Sequence, residues 1–170
     1  IAASNAPRLH VLAGELSGVP ATYDRLVPRE RAQSFDEVFD DCERTGFAGL
    51  NITYPYKELA AARVRIPDAL VAVISAVNTI VFTNAGPVGH NTGYSGVKSA
   101  YQVVRGPTAP GSVALIGAGG VGKAIAFALL KLGAASIRIT DRDARKAELL
   151  AAALRGAEPA LTVQVLGNAA

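Results

Sequence analysis

The chain has 170 residues and a net charge of +3 at pH 7; half of its residues are hydrophobic and 18% are charged. That balance excludes a disordered chain and leaves enough apolar residues for a sizeable core, in one domain or two small ones. Lys and Arg do not cluster with interleaved aromatics, so nucleic acid is not an expected partner, and no apolar run reaches the roughly eighteen residues that a membrane-spanning helix needs.

The single cysteine, Cys42, rules out an intrachain disulfide and fits a reducing compartment, so a cytoplasmic location is expected. The two histidines, His10 and His90, lack the Cys or acid pattern of a metal site, and none is expected. The sequence begins at Ile1, contains no Met and stops at Ala170 soon after a strand-like run, so it is expected to continue at both ends.

In chain order, Ala6–Gly18 reads as a short helix after a Ser-Asn-Ala-Pro entry, and Ala21–Val27 reads as a strand. Ser34–Thr45 reads as a helix, with Ser34 as N-cap and Glu37 at capping-box spacing. Gly49–Thr53 reads as a strand that leads into a Pro-fixed turn presenting Lys57. Proline holds its own φ near −65° and pushes the preceding residue towards an extended conformation, so this lysine is carried by stiff backbone. Ile66–Ile74 predicts a short helix, Val77–Thr83 a strand, and Asn84 to Pro87 a turn. Tyr94–Val104 predicts a connecting helix, and the Gly/Pro-rich run 106–111 marks a domain boundary.

The second half alternates regularly. Ser112–Ile116, Ser136–Thr140 and Leu161–Leu166 read as strands, with helices at Val121–Leu132 and Ala144–Leu154 between them. This βαβαβ pattern is half of a doubly wound dinucleotide fold. The fold class is therefore α/β, an N-terminal α/β substrate domain over 1–93, a connecting helix and linker over 94–110, and a partial Rossmann-type domain over 111–170.

Gly117-Ala118-Gly119-Gly120-Val121-Gly122 matches G-x-G-x-x-G, with a strand before it and a helix after it. Gly117 permits a tight turn, Gly119 lets a pyrophosphate approach the backbone, and Gly122 lets the helix pack closely. The helix N-terminus offers unpaired N–H groups and partial positive charge to phosphates. Asp141 ends the next strand about twenty residues on, where a carboxylate takes the ribose hydroxyls and repels a 2′-phosphate. Arg142 stands beside it and is able to pair with such a phosphate, but Asp143 flanks it on the other side. NAD is therefore expected ahead of NADP. Asp141 and Asp143 also fit the alternative role of capping the following helix.

The order of motifs resembles the shikimate dehydrogenase family. Gly49–Lys57 is similar to its G-x-N-[VI]-T-x-P-x-K segment, Ala76–Thr79 to its A-V-N-T, Gly89–Gly96 to its G-x-N-T-D-x-x-G, and Ser4–His10 to its S-x-S-P-x-x-H entry. The resemblance implies an NAD(P)-dependent oxidoreductase of aromatic amino-acid biosynthesis, acting on a cyclic polyhydroxy acid such as shikimate or quinate, as a monomer or homodimer. Together with Asp141 it points to the NAD-using quinate/shikimate branch. It implies that Ser4, Asn51, Thr53, Asn78 and Thr92 bind substrate, and that Lys57 exchanges a proton with the reacting hydroxyl. Desolvation in a closed cleft makes a lysine easier to deprotonate, which suits that work.

Two positions depart from the pattern. The family's dyad Asp is Gly93, and the second Ser of its entry motif is Ala6. The departures leave open a non-catalytic binding protein that keeps the cofactor site. The order of motifs weighs against a different two-domain dehydrogenase of the methylene-tetrahydrofolate type. Tyr54 and Tyr56 flank Lys57 as pocket walls or as packing, and Glu58 is an acid available to stand in for the missing Asp.

Overall fold

Local chemistry at Ser34 sets the clearest element of the N-terminal segment. Its hydroxyl accepts from the Glu37 N–H at 3.2 Å, and the Glu37 carboxylate accepts from the Ser34 N–H at 2.7 Å. This capping box starts α2 (Phe35–Arg44), which buries Val38, Phe39 and Cys42 on one face. The computed structural model describes residues 4–167; the outermost residues of the expected domains, 1–3 and 168–170, lie outside them.

Helix α1 (Ala6–Ser17) ends at Gly18, whose φ of 70° closes the helix in the left-handed region. The strand expected over Ala21–Val27 does not form. A strand needs a neighbour for its N–H and C=O groups, and the described residues of this segment contain no other strand. Residues 19–21 instead run tight against α1, where a Cβ on Gly14 would come within 2.6 Å of the Val19 carbonyl oxygen. Compactness divides the chain into Ile1–Gly46 and Phe47–Ala170.

The second unit opens with an antiparallel three-stranded sheet in the order β1 (Gly49–Asn51), β2 (Thr79–Thr83), β3 (Gly86–His90). Strand β3 is not visible in the sequence, because Gly-Pro-Val-Gly-His has two glycines and a proline around a single β-former, Val88. Its Pro87 is tolerated because β3 lies at the sheet edge; beyond it, among the described residues, Arg65 forms an isolated bridge, its N–H donating to the Pro87 carbonyl and its carbonyl accepting from the Gly89 N–H. The turn after β1 leads into a further element absent from the sequence reading, helix α3 (Lys57–Ala61). The Tyr54–Pro55 peptide in that turn is cis. Helix α4 (Ala69–Ile74) follows, with the Asp68 carboxylate accepting from the Leu70 and Val71 N–H groups.

Helix α5 (Thr92–Arg105) starts two residues before the expected Tyr94. Its N-cap Asn91 is 6% exposed and tied from both ends. The amide Nδ2 donates to the Ala76 carbonyl at 2.9 Å, and Oδ1 accepts from the Tyr94 N–H at 3.2 Å.

The parallel sheet runs β4 (Ser112–Ile116), β5 (Ser136–Thr140), β6 (Thr162–Val165), with α6 (Gly120–Lys131) and α7 (Ala144–Ala157) as crossovers. The strand pairing aligns Val113, Ile137 and Val163, and then Leu115, Ile139 and Val165. Ile137, Ile139, Leu115 and Val163 are buried under the helices. The alternate row, Ala114, Arg138 and Gln164, is exposed. Helix α6 is buried on most sides, through Ala124 and the run Ala126–Leu130. Ile74 and Ala76 join this core, so the segment that carries the lysine-bearing motifs is packed on the same apolar mass.

Asn91→Ala removes a helix cap and leaves a buried carbonyl without its donor, for a combined cost of about 2–4 kcal/mol. Asn91→Asp keeps the cap acceptor but loses the donor to Ala76. Both variants are expected to lower the urea midpoint.

Candidate active site

One end of the antiparallel sheet gathers most of the expected substrate residues. Asn51 ends β1, Asn78 precedes β2, and Thr92 follows β3. Because neighbouring strands run in opposite directions, these three chain ends meet at the same edge. The Ile52 N–H donates to the Asn78 carbonyl at 2.8 Å, and the Asn78 N–H donates to the His90 carbonyl at 3.0 Å. The Asn78 side chain is bound to Thr92 twice over. Its Nδ2 donates to Thr92 Oγ1 at 2.9 Å, and its Oδ1 accepts from the Thr92 N–H at 2.9 Å. Asn51 and Thr53 are exposed, leaving their side chains open to a ligand, whereas the exposed Thr92 already engages Asn78 through its N–H and Oγ1.

Lys57 comes next along the chain. The Tyr56 N–H donates to the Thr53 carbonyl at 2.9 Å and closes the turn, and α3 starts at Lys57 itself. The Lys57 carbonyl accepts from the Val77 N–H at 3.0 Å, which fixes its backbone beside Asn78. Its half-buried side chain lies along Gly120; a Cβ on that glycine would sit 3.5 Å from Lys57 Cδ and 3.6 Å from Cβ. The lysine thus reaches the start of the glycine-rich helix.

A cleft of about 70 Å³ opens there, lined by Lys57, Asn91 and Gly93 and by the apolar residues Val97, Val121 and Ala124 among others. Its lining contains no carboxylate. Gly93 faces it with ordinary helical backbone; a Cβ there would stand 3.1 Å from Asn91 Oδ1 and 4.0 Å from Asn78 Nδ2. Glu58, an acid available to stand in for the missing Asp, is turned elsewhere: Lys123 Nζ donates to its Oε1 at 2.6 Å. Tyr54 is 84% exposed and is neither pocket wall nor packing. Ser4 belongs to the first unit, where its hydroxyl accepts from the Ala6 N–H at 3.2 Å.

The glycine-rich turn has the form that a dinucleotide requires. Gly117 adopts φ 100°, a conformation that side chains disfavour. A Cβ on Gly122 would overlap the Gly117 carbonyl, so the first turn of α6 folds directly back onto the end of β4. Around Gly119 nothing lies within 4 Å of a Cβ position, leaving the backbone open to a diphosphate at the helix N-terminus. Ala118, Gly120 and Val121 complete this stretch.

Asp141 has a second engagement. Its Oδ2 accepts from the Ala118 N–H at 2.6 Å and its Oδ1 from the Asp143 N–H at 2.8 Å. A carboxylate has about four acceptor positions, so each oxygen retains one for a ribose hydroxyl. Asp143, not Asp141, is the N-cap of α7 and accepts from the Arg145 N–H. Arg142 is exposed beside them.

The model for the shikimate dehydrogenase substrate binding domain matches residues 1–80. A quinate/shikimate dehydrogenase (NAD(+)) of Corynebacterium efficiens is 34% identical over 92% of this chain. The chain is thus similar to the shikimate dehydrogenase family, over residues 1–80 by the family model and over 92% of its length by sequence. Residues 112–169 also match the model for coenzyme F420-dependent NADP oxidoreductases. A shikimate dehydrogenase (NADP(+)) of Halobacterium salinarum is 37% identical over 90% of the chain. Among solved structures, quinate dehydrogenase from Corynebacterium glutamicum in complex with NAD superposes with a TM-score of 0.84, at 30% identity over 96% of the chain. The chain spans 57% and 56% of the two curated relatives and 60% of the solved chain.

Within the family frame, the residue that sequence reasoning passes over is Asn91. It lines the cleft and anchors Ala76 and Tyr94 at once. Its position between His90 and Thr92 in the family motif was the available signal, but burial is what gives it weight.

The two backbone N–H groups, Ala118 first, hold the Asp141 carboxyl below the usual carboxylate range. A lowered folded-state pKa stabilises above the unfolded value, near 3.9, and that contribution is lost as pH falls through the folded one. Asp141→Asn is therefore expected to lower the denaturation midpoint at pH 7, with the gap to wild type closing below about pH 4. Parallel urea titrations at several pH values measure this.

Proposed function

We propose that the protein carrying this chain is an NAD-dependent oxidoreductase acting on shikimate or quinate, with residues 1–93 as substrate domain, 94–110 as connection and 111–170 as part of the nucleotide domain. The observation that carries this is the seating of Lys57: its stem lies on Gly120 at the head of the nucleotide helix, and its backbone is tied to Val77 beside the Asn78–Thr92 pair. A proton-exchange group between a sheet edge rich in amides and hydroxyls and a dinucleotide turn is what oxidation of a ring alcohol needs.

Ser4, Asn51, Thr53, Asn78 and Thr92 are assigned to substrate. Amides and hydroxyls both donate and accept, which suits a ring bearing several hydroxyls. Lys57 Nζ takes the proton of the hydroxyl being oxidised and returns it in the reverse direction. The dinucleotide, when bound, supplies the hydride acceptor. Gly117, Ala118, Gly119, Gly120, Val121 and Gly122 hold its diphosphate, and Asp141 takes its ribose. A carboxylate already committed to two N–H donors stays ionised and repels a 2′-phosphate, which supports NAD over NADP.

A second reading rests on Gly93. With no carboxylate in the cleft and Glu58 bound to Lys123, Lys57 has no acid partner among the lining residues. A protein that binds its ligands without turnover fits that arrangement.

An assay of NAD reduction with shikimate and quinate separates the two. Turnover with NAD well above that with NADP is expected, and Lys57→Ala is expected to abolish it. Gly93→Asp is expected to raise kcat, up to the roughly 10²–10⁴-fold that a positioned acid–base group contributes. The new Cβ requires Asn91 Oδ1 to give a few tenths of an ångström, and an acid in the first turn of α5 suits the helix dipole. Unchanged rates for Gly93→Asp, alongside loss in Lys57→Ala, would rule out a carboxylate partner at that position. Ligand binding without turnover in wild type would favour the second reading.

A further inference from the structure

Lys57 sits on a helix that cannot hold itself. Helix α3 has five residues and no side-chain N-cap bond, and so short a helix has little stability of its own. Its placement comes from outside. Ala60 is fully buried, and the Lys57 carbonyl takes the Val77 N–H, which secures α3 on the side of the antiparallel sheet. On the other side, the residue next to Lys57 is Glu58, and its carboxylate receives Lys123 Nζ at 2.6 Å from the first turn of α6.

The burial of the pair is uneven: the Lys123 side chain is 22% exposed and that of Glu58 is 54% exposed. The lysine stem is packed, so its head group is presented in a restricted direction, where the more exposed glutamate meets it. A pair this open to solvent contributes little to stability. Its geometric effect is larger, since it spans the sequence from 58 to 123 and joins the lysine segment to the nucleotide helix directly.

We infer that Glu58 and Lys123 form a positioning brace that holds Lys57 against the glycine turn, so that proton exchange is aligned with the nucleotide site. The inference rests on the reading of Lys57 as the proton-exchange residue. Neither brace residue touches the reacting atoms; both act through the placement of α3.

The test is steady-state kinetics of the full-length protein at saturating NAD, with Glu58→Gln and the charge-swapped pair Glu58→Lys/Lys123→Glu. The brace predicts that Glu58→Gln lowers kcat about tenfold with the KM for NAD within twofold, and that the swap recovers most of the kcat. Glu58→Gln with unchanged kcat, or a loss that the swap does not repair, overturns the inference. If wild type shows no turnover of shikimate or quinate, the proposed activity falls, and the brace is read separately. Reductive ¹³C-methylation reports each lysine by NMR, with Lys57 assigned through Lys57→Arg. Lys123→Gln should move the Lys57 resonance, although the two residues are distant in sequence. A Lys57 resonance that stays in place overturns the brace.

Discussion

The close contact between Gly122 and the Gly117 carbonyl is the constraint on which the rest of the second unit depends. No Cβ fits between them, so α6 begins almost on top of the end of β4. That proximity brings the helix N-terminus to the turn and lays the small residues of α6 against their neighbours. Gly120 then faces the stem of Lys57 and the methyl of Ala76, each 3.5 Å from where a Cβ on it would stand. A side chain at Gly122 would force α6 away from the end of β4.

A second set of contacts joins the start of α5 to the segment before β2. Asn91 and Asn78 each use a side-chain amide to join segments far apart in sequence. Asn91 reaches the segment before β2 from the start of α5, and Asn78 reaches the start of α5 from the segment before β2. The exchange is reciprocal, and it locks the cap of α5 to the entry of β2. The residues of the cleft and of the sheet edge are therefore tied to each other directly.

Elements with local chemistry were legible in the sequence. The capping box at Ser34 and the glycine turn form where the residues indicate, because each depends on neighbours in the chain; strands 112–116 and 136–140 also form there, because their apolar runs find the parallel partners that the crossovers supply. Elements set by distant contacts were not. Strand β3 exists because β2 offers it a ladder, and α3 exists because Val77 and α6 hold it. Residues 21–27 show the reverse: their apolar content suits a strand, but no described strand stands beside them. The motifs single out Lys57, Asn78, Thr92 and the glycine turn, and the structure joins Asn78 to Thr92 and lays Lys57 beside Gly120. The diversion of Glu58 to Lys123 was not legible, since nothing in the sequence around position 58 refers to position 123. Asn91, read only as a motif letter, acquires its importance from burial.

The double engagement of Asp141 links two properties that are usually considered apart. One carboxylate closes the glycine turn through Ala118 and also faces the place assigned to the ribose. Any lineage or designer that exchanges this acid for a residue welcoming a 2′-phosphate also withdraws the acceptor from a buried N–H. A change of cofactor preference at this position is thus a two-site problem. It requires a new partner for Ala118 before the altered specificity can be expressed on an intact turn.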